Sequence, residues 1–223
     1  MNKDINKTIG VILSGSGWQD GSEIHEAVLT LFNLDKEGVE TEIFAPNIKQ
    51  KDVVHHISNQ QDESSTRNVM VESARIARGE IRPLIDADAN KLDGLVIPGG
   101  FGVAKNLCDY AEKGADMAVN KTLTDLILEM HGQKKPIGFI CIAPVVAAKV
   151  LGKFNPVLTV GNDVNTINDV EKMGAHHVEA TVDEIVYDET NKIVSTPAYM
   201  LGPSIAYISQ GIKKLVKKVV NLS

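Results

Sequence analysis

The sequence predicts an α/β fold: a doubly wound, mostly parallel sheet flanked by helices, with an antiparallel hairpin near the C-terminus. Three observations carry the prediction. Thr8–Ser14, Gly94–Pro98 and Pro136–Cys141 are short, continuous apolar runs, as parallel strands covered on both faces require. Segments with helical spacing separate them, which is the alternation of βαβ units. Near the end, Glu184–Tyr187 and Lys192–Ser195 flank an Asp188–Asn191 turn and read as a hairpin.

The elements follow in order. Thr8–Ser14 is the first strand, and Gly15, Gly17 and Gly21 mark the turn after it. Ser22 is placed as the N-cap of a helix, with Glu23 in its first turn. Ile24, Ala27, Val28, Leu31 and Leu34 recur at helical spacing, and Gly38 ends the helix. Val39–Ala45 is a second strand, stopped by Pro46. Asn47–Asn68 is polar and irregular and reads as a long loop with local turns. Val69–Ala77 reads as a short helix ended by Gly79. The Gly94–Pro98 strand runs into the turn Gly99–Gly102. Val103–Lys113 and Val119–Gln133 read as two helices, and Ala143–Leu151 as the helix after the Pro136–Cys141 strand. Leu158–Val160 is short and apolar, and Ser204–Leu222 is a long closing helix.

The 223 residues fit one domain, 1–223, with no internal repeat or linker. At 43% hydrophobic and 23% charged the composition is globular. Twenty-three Lys and Arg against 29 Asp and Glu leave a net charge of −6, and aromatics are 4%, so no nucleic-acid partner is expected. Met1–Lys7 is polar and lacks the apolar core of a signal peptide. The longest apolar run, Ile137–Ala148, contains Pro144 and is too short to span a bilayer, so no membrane partner is expected either. Two cysteines, Cys108 and Cys141, make no disulfide framework; the expected location is a reducing one, the cytoplasm.

The sharpest chemical feature is Gly138–Pro144 (GFICIAP), where an apolar strand runs into Cys141 and a helix follows at once. That is the elbow arrangement of a nucleophile. Helix N–H groups there are expected to stabilise a thiolate and lower the pKa of Cys141. The N–H groups of Gly100, in the glycine turn after the third strand, and of Ile142 are candidates for an oxyanion hole. Glu23 and Glu26 share a face of the first helix, near the carboxyl end of the first strand. Glu26 adjoins the apolar stripe, so its carboxyl is expected to be partly buried, raised in pKa and able to carry a proton.

Taken together, SGSGWQDGSEIHEAV, VIPGGFGVAKNL, GFICIAP and STPAYML resemble the ElbB (enhancing lycopene biosynthesis, glyoxalase-like) family of the ThiJ/PfpI superfamily. The resemblance covers nearly the whole chain. It implies the class I glutamine amidotransferase-like fold, with Cys141 as nucleophile and Glu26 as the carboxylate beside the thiol. It implies oxyanion donors at Gly100 and Ile142. It also implies a homodimer, a link to isoprenoid synthesis, and conversion of a small aldehyde, glyoxal, to glycolate without a cofactor. Two alternatives stay open: a non-catalytic regulatory or redox-sensing protein on the same fold, and a glutaminase subunit.

The sequence departs from the amidotransferase pattern in one respect. Ile142 stands where a Cys-adjacent His would stand, and the His-x-Glu at His177–Glu179 lies far from the chain end. His177 and Glu23 are therefore secondary candidates. Gly15, Gly17 and Gly21 do not match the dinucleotide G-x-G-x-x-G, and the His55–His56 and His176–His177 pairs lack metal-site spacing. No cofactor or metal is expected. All four arginines, Arg67, Arg75, Arg78 and Arg82, fall in one short window, read as intrachain pairing with Glu72, Glu80 and Asp86 or as a subunit contact. Lys213, Lys214, Lys217 and Lys218 read as the solvated face of the closing helix.

Overall fold

A computed structural model describes residues 7–223, so the polar leader, Lys7 apart, lies outside the described residues. Strand β1 (Thr8–Ile12) leads through the glycine turn into helix α1 (Ile24–Glu37), and β2 (Glu40–Ala45) returns parallel to it. A small antiparallel hairpin, β3 (Val54–His55) with β4 (Gln60–Gln61), interrupts the long polar insert. Helix α2 (Val69–Ile76) and the short edge strand β5 (Arg82–Pro83) come next, then β6 (Gly94–Ile97). A π-helical turn, Val103–Leu107, is followed by α3 (Tyr110–Lys113), α4 (Lys121–Gly132), β7 (Ile137–Ile140) and α5 (Pro144–Leu151). Strand β8 (Val157–Leu158), helix α6 (Val164–Lys172) and strand β9 (His176–His177) form a small side unit. The antiparallel pair β10 (Val186–Asp188) and β11 (Ile193–Thr196) precedes the closing helix α7 (Ile205–Leu222).

The main sheet has seven strands in the order β10-β11-β7-β6-β1-β2-β5. Every neighbouring pair is parallel except β10 with β11, so the hairpin supplies an antiparallel edge. Side chains alternate between the two faces, as strand geometry demands. Ile9, Val11 and Leu13 pack with Ala27, Leu34, Ile212, Leu215 and Val219, under α1 and α7. Ile12, Leu95, Ile97 and Phe139 pack on the other face with residues of α4 and α5. Each large apolar side chain so buried contributes about 1.5–3 kcal/mol. At Gly10 a Cβ would come within 2.8 Å of the Leu92 side chain, so the glycine lets that layer sit close on the strand.

Several boundaries differ from the sequence reading. Ser22 is not the N-cap of α1. Glu23 is, its carboxylate accepting from the Glu26 N–H at 2.7 Å, while the Ser22 hydroxyl turns inward to accept from the Ser14 N–H. The apolar stripe of α1 is only partly used: Ala27 and Leu34 are buried and Leu31 is partly so, whereas Ile24 and Val28 face outward. Val103–Lys113 is not one helix. Cys108 is extended and bridges Val119, which breaks the segment into the π turn and α3. Strand β5, helix α6 and strand β9 had no apolar run long enough to announce them.

Three of the four arginines pair within the chain: Arg67 and Arg75 with Glu72, and Arg82 with Glu42 at 3.1 Å and with Asp86, while Arg78 and the expected partner Glu80 are in none of these ion pairs. Glu42 is a partner the sequence window did not contain. The lysines of α7 lie on its outer face, and no helix among the described residues is long and apolar enough to cross a membrane.

Candidate active site

Strands β7, β6 and β1 are adjacent and parallel, so their carboxyl ends open on one crevice. The chain leaves β1 toward β2 on one side and β6 toward β7 on the other. The crevice therefore sits at the point where strand order reverses, the ligand position of open α/β sheets.

Cys141 stands one residue past β7. Its φ is +62°, a left-handed conformation that side chains other than glycine adopt at a cost. A hydrogen bond from its N–H to the Thr196 carbonyl, 3.0 Å, secures the turn. Only 7% of Cys141 is exposed. The N–H groups of Gly100 and Ile142 bear on its sulfur and favour the thiolate. Two glycines give the approach its room. At Gly99 a Cβ would lie 2.5 Å from the Cys141 Cβ and 2.6 Å from Glu26 Oε2. Gly100 has φ +98°, and a Cβ there would lie 2.3 Å from the Glu23 nitrogen.

Glu26 is fully buried beside the Cys141 thiol, with which it is coupled. Its Oε2 accepts from the Gly99 N–H at 2.9 Å and its Oε1 from the Tyr199 N–H at 3.2 Å. Burial, and then the charge of Glu23, push the Glu26 carboxyl up to about 8 against the softer pull of those hydrogen bonds. Such a carboxyl carries a proton at neutral pH. Burial also raises Glu23, which caps the helix and lines the crevice.

The thiol departs from the sequence expectation. Burial and the neighbouring Glu26 push Cys141 well above the usual thiol range, and the Gly100 and Ile142 N–H groups only moderate this. Helix α5 begins at Pro144, three residues on, so its terminus does not bear directly on the sulfur. Thiol and carboxyl form a coupled pair that shares protons rather than an isolated thiolate.

The sulfur opens on a cavity of about 410 Å³. Trp18 and Phe101 stand at its rim, half exposed with their rings 6.0 Å apart. Tyr199 contributes its ring to the wall, its N–H to Glu26, and its hydroxyl to His25 Nδ1 at 2.8 Å. Asp163, the N-cap of α6, closes the far side with Tyr110. Sequence reading gave none of these a role. Trp18 could have been flagged as the single tryptophan, and Asp163 by the cap spacing Asp163–Thr166. Nothing local announces that a backbone N–H at position 199 serves position 26.

His177 is not brought to this cavity. It lies in β9 opposite Leu158, and no histidine is among the groups that bear on Cys141. Among the described residues, no group of three or more His, Cys, Asp or Glu side chains is placed to hold a metal ion.

No family model matches the chain. Among curated proteins, it is 43% identical over 224 residues to the "ES1 protein homolog, mitochondrial" of Rattus norvegicus, covering 96% of this chain and 84% of that one. It is 42% identical to the human "Glutamine amidotransferase-like class 1 domain-containing protein 3, mitochondrial", covering 96% and 83%. A solved structure from Ehrlichia chaffeensis, described as an isoprenoid biosynthesis protein with an amidotransferase-like domain, superposes with a TM-score of 0.90. It shares 38% identity over 97% of this chain and 99% of that one. A ThiJ/PfpI domain protein from Brachyspira murdochii superposes at 0.59 with 14% identity, covering 98% and 96%, a likeness of fold alone. These findings correct the expected location. The curated relatives are mitochondrial proteins, not cytoplasmic ones. Cysteine usage separates oxidising from reducing compartments and cannot separate one reducing compartment from another.

Proposed function

The chain belongs to the glutamine amidotransferase-like family of the ES1 proteins, and on that premise we propose that it is a glyoxalase-like enzyme converting glyoxal to glycolate. One observation carries the reading: a strained Cys141 whose sulfur meets a proton-bearing carboxyl, Glu26, and two converging N–H groups at the floor of a cavity.

The coupled pair first loses one proton, which leaves the sulfur anionic when Glu26 keeps the other. The thiolate adds to one aldehyde carbon and a C–S bond forms. The carbonyl π electrons move to oxygen, where the N–H groups of Gly100 and Ile142 stabilise the alkoxide until it takes the Glu26 proton to give the hemithioacetal, which leaves Glu26 as the carboxylate. Glu26, as carboxylate, removes the hydrogen of that carbon as a proton and returns it to the neighbouring carbon. The hydroxyl proton of the hemithioacetal passes to the oxygen of the second carbon, so the first carbon is oxidised and the second reduced, giving a glycolate thioester. Water cleaves the thioester to glycolate and restores the thiol. The chemistry is internally redox-balanced and needs no external oxidant.

A relative described as an isoprenoid biosynthesis protein supports a link to that pathway. The absence of histidine from the groups bearing on Cys141 weighs against the glutaminase alternative, whose cysteine requires a histidine partner to relay protons. The test is glycolate release from glyoxal by wild type, Cys141→Ala and Glu26→Gln. Cys141→Ala should lose about a thousandfold or more, and Glu26→Gln about 10²–10⁴-fold. Full turnover by Cys141→Ala, or ammonia release from glutamine in place of glycolate formation, overturns the proposal.

A further inference from the structure

The cavity is far larger than glyoxal needs. A volume of about 410 Å³ is within the range that holds ligands of drug-like size, whereas glyoxal has only a few heavy atoms. Its walls also have a definite character. Trp18, Phe101, Tyr110 and Tyr199 give it aromatic faces, and Glu23 and Asp163 give it two carboxylates. No Lys, Arg or His is among the residues that line it.

We infer that the physiological substrate of this site is a carbonyl compound with an apolar or aromatic body and a positive charge, and that phosphorylated or carboxylated carbonyl compounds are excluded. The inference rests on the reading of Cys141 as the nucleophile of this cavity and extends it to the part of the substrate that does not react. A cation is drawn to the negative faces of aromatic rings, most strongly where water is partly excluded. Trp18 and Phe101, half exposed and tilted against each other, put two such rings at the rim. Hydrogen bonds from the Thr166 N–H and hydroxyl, at 2.8 and 2.7 Å, hold Asp163 below the usual carboxylate range, so it is ionised at neutral pH.

An anion would find little to set against those charges. Lys105, beside the rim, lies over the Phe101 ring with its ammonium 2.8 Å from Asp52, neutralised outside the cavity. The N-terminus of α6 is already capped by the Asp163 carboxylate. The Gly100 and Ile142 N–H groups point at the reacting centre and suit an alkoxide formed there, not a permanent anion on the body of the substrate.

Thiol reagents of one chemistry and opposite charge test this without requiring turnover. Methanethiosulfonates carrying an ethyltrimethylammonium or an ethylsulfonate group transfer that group to sulfur. The Cys141 thiolate attacks the sulfenyl sulfur, a disulfide forms, methanesulfinate leaves, and the thiol proton goes to solvent. Rates are read on the Cys141 peptide by mass spectrometry, for the folded protein and for the same protein in urea. The cation-to-anion rate ratio should be about tenfold or more higher in the folded state, the scale expected of two nearby carboxylates. Asp163→Asn should lower it severalfold. A folded ratio equal to or below the unfolded one overturns the inference.

If Cys141 resists both reagents, the single tryptophan supplies the second measurement. Trp18 fluorescence should be quenched more by N-methylpyridinium than by iodide, relative to free tryptophan amide, and Asp163→Asn should narrow the gap. Equal or reversed quenching overturns the inference. Cation preference without glyoxal turnover removes the proposed reaction and leaves the ligand class; turnover without cation preference does the reverse.

Discussion

Replacing Glu26 by Gln isolates the energetic signature of a buried, proton-bearing carboxyl. In the unfolded chain Glu26 ionises near its ordinary value of 4.5, whereas the folded protein holds the proton up to about 8. Between those values the unfolded state has released a proton that the folded state keeps, so folding stability falls as pH rises. At 1.36 kcal/mol per unit, the loss between pH 5 and pH 8 is about 3 kcal/mol. Gln cannot ionise and is free of that loss. It has a separate, pH-independent cost: its one carbonyl can accept from the Gly99 N–H or the Tyr199 N–H but not both, worth about 1–3 kcal/mol. The readout is the difference in Tm between wild type and Glu26→Gln, measured by differential scanning calorimetry from pH 5 to pH 8. At about 2–4 °C per kcal/mol for a chain of this size, the difference should move by about 6–12 °C in favour of the variant. Because burial is the main cause of the shift, a Cys141→Ala background should preserve most of this movement. A difference that stays constant with pH would mean an ordinary carboxyl and would refute the account of the site.

Other consequences follow from the same geometry. Glycolate formation should rise with pH toward a plateau, with its midpoint near 8, as the coupled pair loses its first proton; a pH-independent rate across 6–9 would contradict the pairing. Gly99→Ala places a Cβ 2.5 Å from the Cys141 Cβ and 2.6 Å from Glu26 Oε2, and should cut turnover by about 10²-fold or more in a protein whose circular dichroism stays native. Asn106→Ala removes a side chain that accepts from the Lys51 N–H and donates to the Ser14 and Asp20 carbonyls, untying the polar insert from the glycine turn; urea unfolding should show a loss of about 2–3 kcal/mol. Lys214→Ala, which breaks only an exposed 3.5 Å pair with Asp183, should stay within about 0.5 kcal/mol of wild type in the same assay.

Local chemistry made much of the fold legible. The runs around Val11, Val96 and Phe139 are apolar on both faces because helices cover both, and that pattern is written in consecutive residues. Helix α7 was legible through its spacing, with Ile208, Ile212, Leu215 and Val219 inward and the lysines outward. The turn at Cys141 was legible because a strand ends and Pro144 starts a helix within three residues. Short elements were not: β5 spans only two residues, and α6 carries few apolar residues to reveal a period.

By itself the sequence determined where the buried central strands and the long helices run, and that a cysteine sits on a turn between them, since periodicity and turn chemistry act between near neighbours. The tertiary structure alone decided the order β7-β6-β1, which sets Cys141, Gly99 and the start of α1 side by side. It also decided the protonation of the site. The carboxyl of Glu26 is raised because water is excluded around it, and its partners come from Gly99 and Tyr199, 73 and 173 positions away. Solvent exclusion is a property of the packed surroundings of a group, so a helix-terminus argument that lowers a thiol pKa gives way once the thiol is buried beside an acid.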